Sequence, residues 1–410
     1  MRKIGRQIAA LAVAATFAFF PMYASLGLLY SNPRDTTLPP SVWLVPRALD
    51  WVFAIVSAVS FAAVIASAAR WRRLPALFWP GCAGTCAFAV PALAGFEPVG
   101  GLTYALGFFA WMMAANALLD LRARVAWLTT ACLASLLASG ALACALAVVL
   151  VVLRAPADLY AFHHGRAVGT FLNTNELAGY AVVLCAIAAG CAVSLRGSAM
   201  RTLAIVAFVC GLSALVLTFS RSGFIGAVVA TLVFLVALRP TWRVALPSAA
   251  FVVALLAAAL IFDVHHNPAE NLSRIPAWTA GWRTFQLFPL TGVGAIAYYR
   301  TYPFVRPPDG PPVGTPISYD PHDLFLTLLA EMGVAGAALF AFMWWRWFVL
   351  YRDALRRAPP ARRIIPLAIG AGLAGLWAVS TLNTLSIVFA MWANFMALAL
   401  VTAQDADDGT

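Results

Sequence analysis

The chain has 410 residues, 63% of them hydrophobic and 10% charged, with a mean hydropathy of +0.87. No soluble globular domain sustains that average over such a length, so the composition excludes a soluble enzyme and points to an all-α polytopic membrane protein. One Lys and 26 Arg against 16 acids give a net charge of +11, but membrane topology accounts for this excess, so no nucleic-acid partner is expected.

A helix needs about 20 apolar residues to cross a bilayer core. Twelve such runs are predicted, near 7–30, 50–69, 75–95, 101–120, 126–153, 177–195, 202–219, 222–238, 244–262, 323–345, 364–382 and 385–402. The first follows MRKIGRQ, yet it is too long for a signal peptide and lacks a small-x-small cleavage site, so it is expected to remain as helix one. With both termini cytoplasmic, 18 of the 27 basic residues fall on the cytoplasmic side and nine, including Arg166, Arg221 and Arg274, fall outside. The positive-inside bias sets this orientation. All seven cysteines lie inside the runs and read as small packing residues. Residues 1–410 are expected to form one membrane domain, with a single large outer loop at 263–321 between spans nine and ten.

Four polar clusters follow in chain order, all on the outer side. In "HHGRAVGTFLNTNELAGY", 163–180, Thr174 or Asn175 is placed to cap span six and leave its amides facing an aqueous site. In "LTFSRSGFIG", 217–226, a tight turn carries Arg221, which either snorkels to headgroups or is pinned at the turn. In "NLSRIPAWTAGWRTFQLF", Ile275, Trp278, Trp282 and Phe285 recur at helical spacing, predicting an amphipathic surface helix with Arg274 at its start. The stretch 301–321 then holds seven prolines and is expected to lack a regular hydrogen-bond ladder. The fourth cluster, "SYDPHDLFLTLLAEMGVAG", sets Asp320, His322 and Asp323 at the mouth of span ten, where a plain helix start, a three-ligand metal site and a catalytic histidine are all compatible with the residues. The pairs His163–His164 and His265–His266 read as surface loop. Among the span interiors the clearest ionisable residue is Glu331, so no charge-lined transport path is evident.

Taken in order, "GTFLNTNELAGY", "LTFSRSG", "PLTGVG" and "HDLFLTLLAEMGVAG" resemble the O-antigen ligase and polymerase superfamily of bacterial inner-membrane glycosyltransferases. The motifs span roughly residues 160–400, with Asp323 where Asn is common. The resemblance implies a C-type glycosyltransferase (GT-C) architecture and a donor polysaccharide carried on undecaprenyl diphosphate. It also implies, for the ligase branch, a lipid A–core acceptor at the periplasmic face, with membrane lipids around both. Arg221 and Arg274 carry over as diphosphate-binding residues and His322 as the catalytic residue. Asp320, Asp323, Arg166 and Asn175 stand as supporting residues.

That chemistry suits these side chains. A departing diphosphate develops negative charge, and two planar guanidinium forks offer preorganised bidentate partners for it. The outer clusters carry no Asp-x-Asp motif, so no metal and no other cofactor is expected. His322 suits the proton of the acceptor hydroxyl, and direct displacement inverts the anomeric carbon. Length, one large outer loop and a short C-terminal tail favour a ligase over an O-antigen polymerase or a protein O-oligosaccharyltransferase. The scarcity of polar residues along the spans speaks against a lipid-linked oligosaccharide flippase or transporter.

Overall fold

The computed structural model describes residues 2–19, 21, 74–171, 173–195, 199–238, 246–248, 250–254, 257, 274–313, 320–383 and 388–404. Among these residues the protein is all-helical. Six helices are long and apolar enough to cross a membrane: α3 (Pro98–Leu121), α4 (Leu128–Leu153), α6 (Thr174–Ser194), α7 (Ala199–Leu217), α8 (Arg221–Leu238) and α11 (Leu324–Arg357). Shorter helices with apolar cores are α1 (Arg2–Phe19), α2 (Phe78–Ala94), α12 (Ile364–Ser380) and α13 (Val388–Gln404). Between the long helices lie α5 (Ala157–Phe162), α9 (Arg274–Leu287) and α10 (Tyr298–Val305). The expected span near 50–69 and most of the one near 244–262 lie outside the described residues, as do 263–273 and 314–319 of the outer loop.

Two groups of helices share one centre. In one, α12 lies against both α6 and α8, while α4 lies against α7 and α1; in the other, α2 lies against α3 and α11. Helix α13 touches α3, α11 and α12, and residues 391–393 and 395–401 along it are all buried. A helix that is apolar all round belongs in such a centre. There Trp377 and Trp392 stack with ring centroids 4.9 Å apart, and the Trp347 indole donates to the Met396 carbonyl at 3.1 Å.

Small residues let the backbones approach closely where it matters for the site. At the crossing of α8 and α12, a Cβ on Gly226 would lie 2.8 Å from the Gly375 carbonyl oxygen, and one on Gly375 would lie 2.5 Å from that of Gly226. Contacts between small residues drive packing in lipid, where apolar burial gives no preference. This crossing holds the first turn of α8 near the chain that follows α12.

Helix α11 is broken. Gly333 has φ 61° and ψ −170°, which frees carbonyls before it and amides after it. The preceding "PLTGVG" segment takes them up: Val293 and Gly294 donate to the Ala330 and Glu331 carbonyls at 3.0 and 2.9 Å, and Val334 and Ala335 donate to the Pro289 and Leu290 carbonyls at 2.8 and 3.1 Å. Two motifs distant in sequence thus form one junction, which fixes where α11 begins.

Candidate active site

The helices share a polar end, at which α6, α8 and α11 start and α12 stops. There Asn173, not Thr174 or Asn175, caps α6: its Oδ1 accepts from the Asn175 and Glu176 amides, both at 2.9 Å. The sequence Asn-Thr-Asn-Glu has the capping-residue spacing, with the cap one position earlier than expected. Release from capping leaves the Asn175 side chain to bridge helices.

Its amide donates to Asn383 Oδ1 at 2.8 Å, and its Oδ1 accepts from Ser220 Oγ at 2.7 Å. Asn383 Nδ2 donates to Ser222 Oγ at 2.7 Å, and the two serine hydroxyls lie 3.0 Å apart. Four side chains therefore close a hydrogen-bonded ring joining the start of α6, the start of α8 and the segment after α12. Ser220 also accepts from the Gly223 amide at 3.2 Å, capping α8. Arg221 stands between the two ring serines as the first residue of that helix, so its backbone is held from both sides. Arg166 donates through Nε to the Thr218 carbonyl at 2.8 Å, tying the preceding connection to the same turn.

Arg274 is the first residue of α9, as the periodicity predicts. Its guanidinium donates to the Leu382 carbonyl at 2.9 Å, one residue before the ring member Asn383. That contact orients the fork without cancelling its charge. Farther along α9, a Cβ on Gly281 would lie 2.9 Å from Pro321 Cγ, so the same helix packs against the residue preceding His322. A continuous path of contacts thus links the ring beside Arg221, the Leu382–Asn383 segment, Arg274, α9 and the His322 turn.

The two aspartates of that turn do different things. Asp320 Oδ1 accepts from the His322 amide at 2.6 Å and lies 3.7 Å from His322 Nδ1. Asp323 caps α11, its Oδ1 accepting from the Leu326 amide at 2.8 Å, and burial raises its pKa against the pull of the Leu326 and Phe325 amides. His322 sits at φ 52°, a left-handed conformation that costs a side-chain-bearing residue about 1–3 kcal/mol. The Asp320 turn and the Asp323 cap hold it there. Among the described residues no group of three His, Cys, Asp or Glu forms a metal-ligand cluster.

Two further features were not visible in the sequence. His163 lies three residues before Arg166 in the outer connection, and burial, with Arg166 and His164 beside it, pushes its imidazole down to about 4. Residues 298–305 form a helix, α10, where the prolines had suggested irregular chain; Pro303 costs it one amide, and Tyr299 and Arg300 anchor it by donating to the Glu97 carboxylate at the start of α3. The Tyr299 hydroxyl and the Arg300 guanidinium together hold Glu97 below the usual carboxylate range.

Residues 206–341 match the family model described as O-antigen ligase, a segment that contains Arg221, Arg274 and His322. That segment, about a third of the chain, is similar to the O-antigen ligase family. No curated protein matches it closely enough to add a named relative. The polar end is the candidate site, because the matched segment runs from α7 to α11 and brings in the α8 turn, α9, the "PLTGVG" junction and the His322 turn together. Asn383 and Asn175 lie outside that segment, and only the fold joins them to it.

Proposed function

We propose that this protein is an O-antigen ligase. It transfers polysaccharide from undecaprenyl diphosphate to a sugar of lipid A–core at the periplasmic face of the inner membrane, within a twelve-span GT-C architecture and with both termini cytoplasmic. The observation that carries the reading is the contact path from the Ser220–Arg221–Ser222 turn through Arg274 to His322, lying in a segment that matches the family. Arg221 and Arg274 hold the diphosphate and offset the charge that develops as the glycosidic bond breaks. His322 accepts the proton of the acceptor hydroxyl, and Asp320, the acid beside its Nδ1, orients the ring. The acceptor oxygen attacks the anomeric carbon as the diphosphate oxygen leaves, so the product has inverted configuration. Arginines take the role that a carboxylate-bound metal plays in other glycosyltransferases.

A lipopolysaccharide gel from a strain lacking the gene tests the reaction. Core-only lipopolysaccharide, with polymer accumulated on its lipid carrier, is the expected result. Core bearing a single repeat would make the protein a polymerase instead. Turnover of the purified enzyme should persist in EDTA; loss that Mg²⁺ or Mn²⁺ restores would move Asp320 and Asp323 to the role of ligands.

A further inference from the structure

Helix α9 carries a stripe that runs from one part of the proposed site to the other. Residues 274, 278, 281 and 285 recur at steps of four, three and four, so Arg274, Trp278, Gly281 and Phe285 share one face. The stripe is anchored at two points, Arg274 on the Leu382 carbonyl and Gly281 against Pro321. Trp278 lies between them, about 6 Å along the axis from Arg274 and about 4.5 Å from Gly281. Its indole Nε1 is buried and has no hydrogen-bond partner among the described residues.

The buried indole nitrogen of Trp344 likewise has no hydrogen-bond partner among the described residues, and that of Trp392 beside it is buried too, but both lie in the apolar centre, whereas Trp278 stands on α9 between two residues of the proposed site. An indole N–H is a donor only, and a buried one normally finds an acceptor. Trp282, one turn on, shows the alternative: it is 47% exposed and packs on Phe285 with centroids 5.2 Å apart. Exposure lets water satisfy such a group, whereas the Trp278 nitrogen is closed off on the stretch of α9 between the proposed diphosphate-binding arginine and the proposed base.

Resting on the reaction proposed above, we infer that Trp278 is a donor-binding residue whose indole N–H donates to a diphosphate oxygen of the lipid-linked substrate. Arg274 neutralises that group from one turn earlier, while the indole adds a directional contact and covers the diphosphate with an apolar ring. This contact strengthens on the leaving-group side of the reaction and places no demand on the acceptor sugar. The residue therefore belongs to donor recognition, not to proton transfer.

The test uses the full-length protein in lipid nanodiscs and undecaprenyl diphosphate itself as the probe. Trp278→Phe keeps an aromatic ring but removes the N–H together with the five-membered half of the indole, so Trp282→Phe and a spectroscopic measurement separate the lost donor from lost volume. Trp278→Phe should weaken binding of undecaprenyl diphosphate about tenfold or more, as expected for a hydrogen bond to a charged group. Donor KM should rise in step, and acceptor KM and the pH–rate profile should stay as in the wild type. Trp282→Phe should change none of these. In protein labelled with ¹⁵N at the indoles, the one resonance missing from Trp278→Phe should shift when the wild type takes up undecaprenyl diphosphate, a measurement on the unaltered protein. Equal affinity of wild type and Trp278→Phe, or a static resonance, overturns the inference alone. Weakened binding of the sugar-bearing donor with unchanged binding of undecaprenyl diphosphate also overturns it, since the N–H would then face the sugar. A wild-type protein that binds no undecaprenyl diphosphate overturns the proposed reaction and this inference with it.

Discussion

The two ends of the helix bundle use arginine differently, although at the basic end too Arg363 donates to the Ala358 and Arg356 carbonyls, at 2.8 and 3.2 Å. At the basic end, where α3 and α11 stop and α12 starts, Arg124 pairs with Asp120 at 3.0 Å one turn away, and Arg352 pairs with its neighbour Asp353 at 3.1 Å; both arginines are exposed. Pairs of that kind contribute about 0–1 kcal/mol and tolerate rearrangement. At the polar end Arg166 and Arg274 donate to backbone carbonyls where α7 and α12 finish, and Arg221 stands between two serines of a buried ring. The first arrangement needs only positive charge at roughly the right depth. The second specifies direction, which a membrane anchor does not need and a binding site for a diphosphate does.

The sharpest way to break that contrast is to exchange residues between the two classes. His322→Ala should lower transfer by about 10²–10⁴-fold, the range for loss of a general base. Arg221→Ala and Arg274→Ala should each cost at least about tenfold, from loss of a charged contact of roughly 2–5 kcal/mol. Lysine at either position should restore only part, because it keeps the charge and loses the fork. Arg124→Ala and Arg352→Ala at the basic end should leave transfer at the wild-type rate. Equal losses at both ends, measured on correctly inserted protein, would show that charge alone matters and would remove the assignment.

A second prediction concerns the junction that places His322. Gly333→Ala puts a Cβ 2.4 Å from the Leu290 carbonyl oxygen, in a backbone conformation that costs a non-glycine residue about 1–3 kcal/mol before any clash. Thermal stability and transfer should fall together. If the melting temperature in detergent is unchanged, the break in α11 is not held by the "PLTGVG" segment. Gly370 makes a useful comparison, because a Cβ there meets not backbone but the Tyr351 hydroxyl, the end of a buried side chain that donates to the Pro366 carbonyl at 2.8 Å.

Next in size is the ring. Asn383→Ala leaves the Asn175 amide without its acceptor and the Ser222 hydroxyl with Ser220 alone, and an unsatisfied polar group in such a place costs about 1–3 kcal/mol. Transfer should drop about tenfold or more. Asn175→Ala should have a similar effect, and the double variant should lose much less than the sum, because both changes open the same ring. Additive losses would mean that the two asparagines act separately. By contrast, Asp353→Asn at the basic end should stay within about 0.5 kcal/mol of wild type.

Legibility in the sequence followed the same divide. Each described apolar helix announced itself by a run of about 20 apolar residues, and α9 by its spacing with Arg274 at the first position, because burial in lipid acts on averages over many residues. The break at Gly333 did not, since "EMGVAG" is continuous with an apolar run and its partner "PLTGVG" is some 40 residues earlier. Asn383 was hidden for a related reason: "TLNTLS" is a short polar pause between two apolar helices, and only the close crossing of α8 and α12 brings it to Ser222. Asp320 and Asp323 looked equivalent as neighbours of His322. Their roles separate only through backbone geometry, one closing a turn on the histidine amide and the other capping α11. Helix α10 is obscured in the sequence by the prolines that crowd 301–321, although only Pro303 falls within it.

The smallest expected effect is at Glu97, and it refines the comparison because it is an exposed ion pair at the polar end. Glu97 accepts from the Tyr299 hydroxyl and the Arg300 guanidinium, which attach α10 to the start of α3. Its folded pKa is depressed, so the attachment is complete above the ordinary glutamate range and weakens as pH falls through the lower, folded value. Solvent screens the pair, so the effect on global stability should be slight, with a melting shift below about 2 °C for Glu97→Gln. The local effect should be clearer. Hydrogen exchange over 298–305 should be faster in Glu97→Gln than in the wild type at neutral pH, and the two should converge in acid once the wild-type carboxyl is protonated. Exchange that is the same in both proteins at neutral pH would show that the Phe96–Val293 backbone contact, a 2.9 Å hydrogen bond beside the pair, holds α10 without help. The polar end would then owe its order to backbone and buried side chains alone, and its surface charges would be as dispensable as those at the other end.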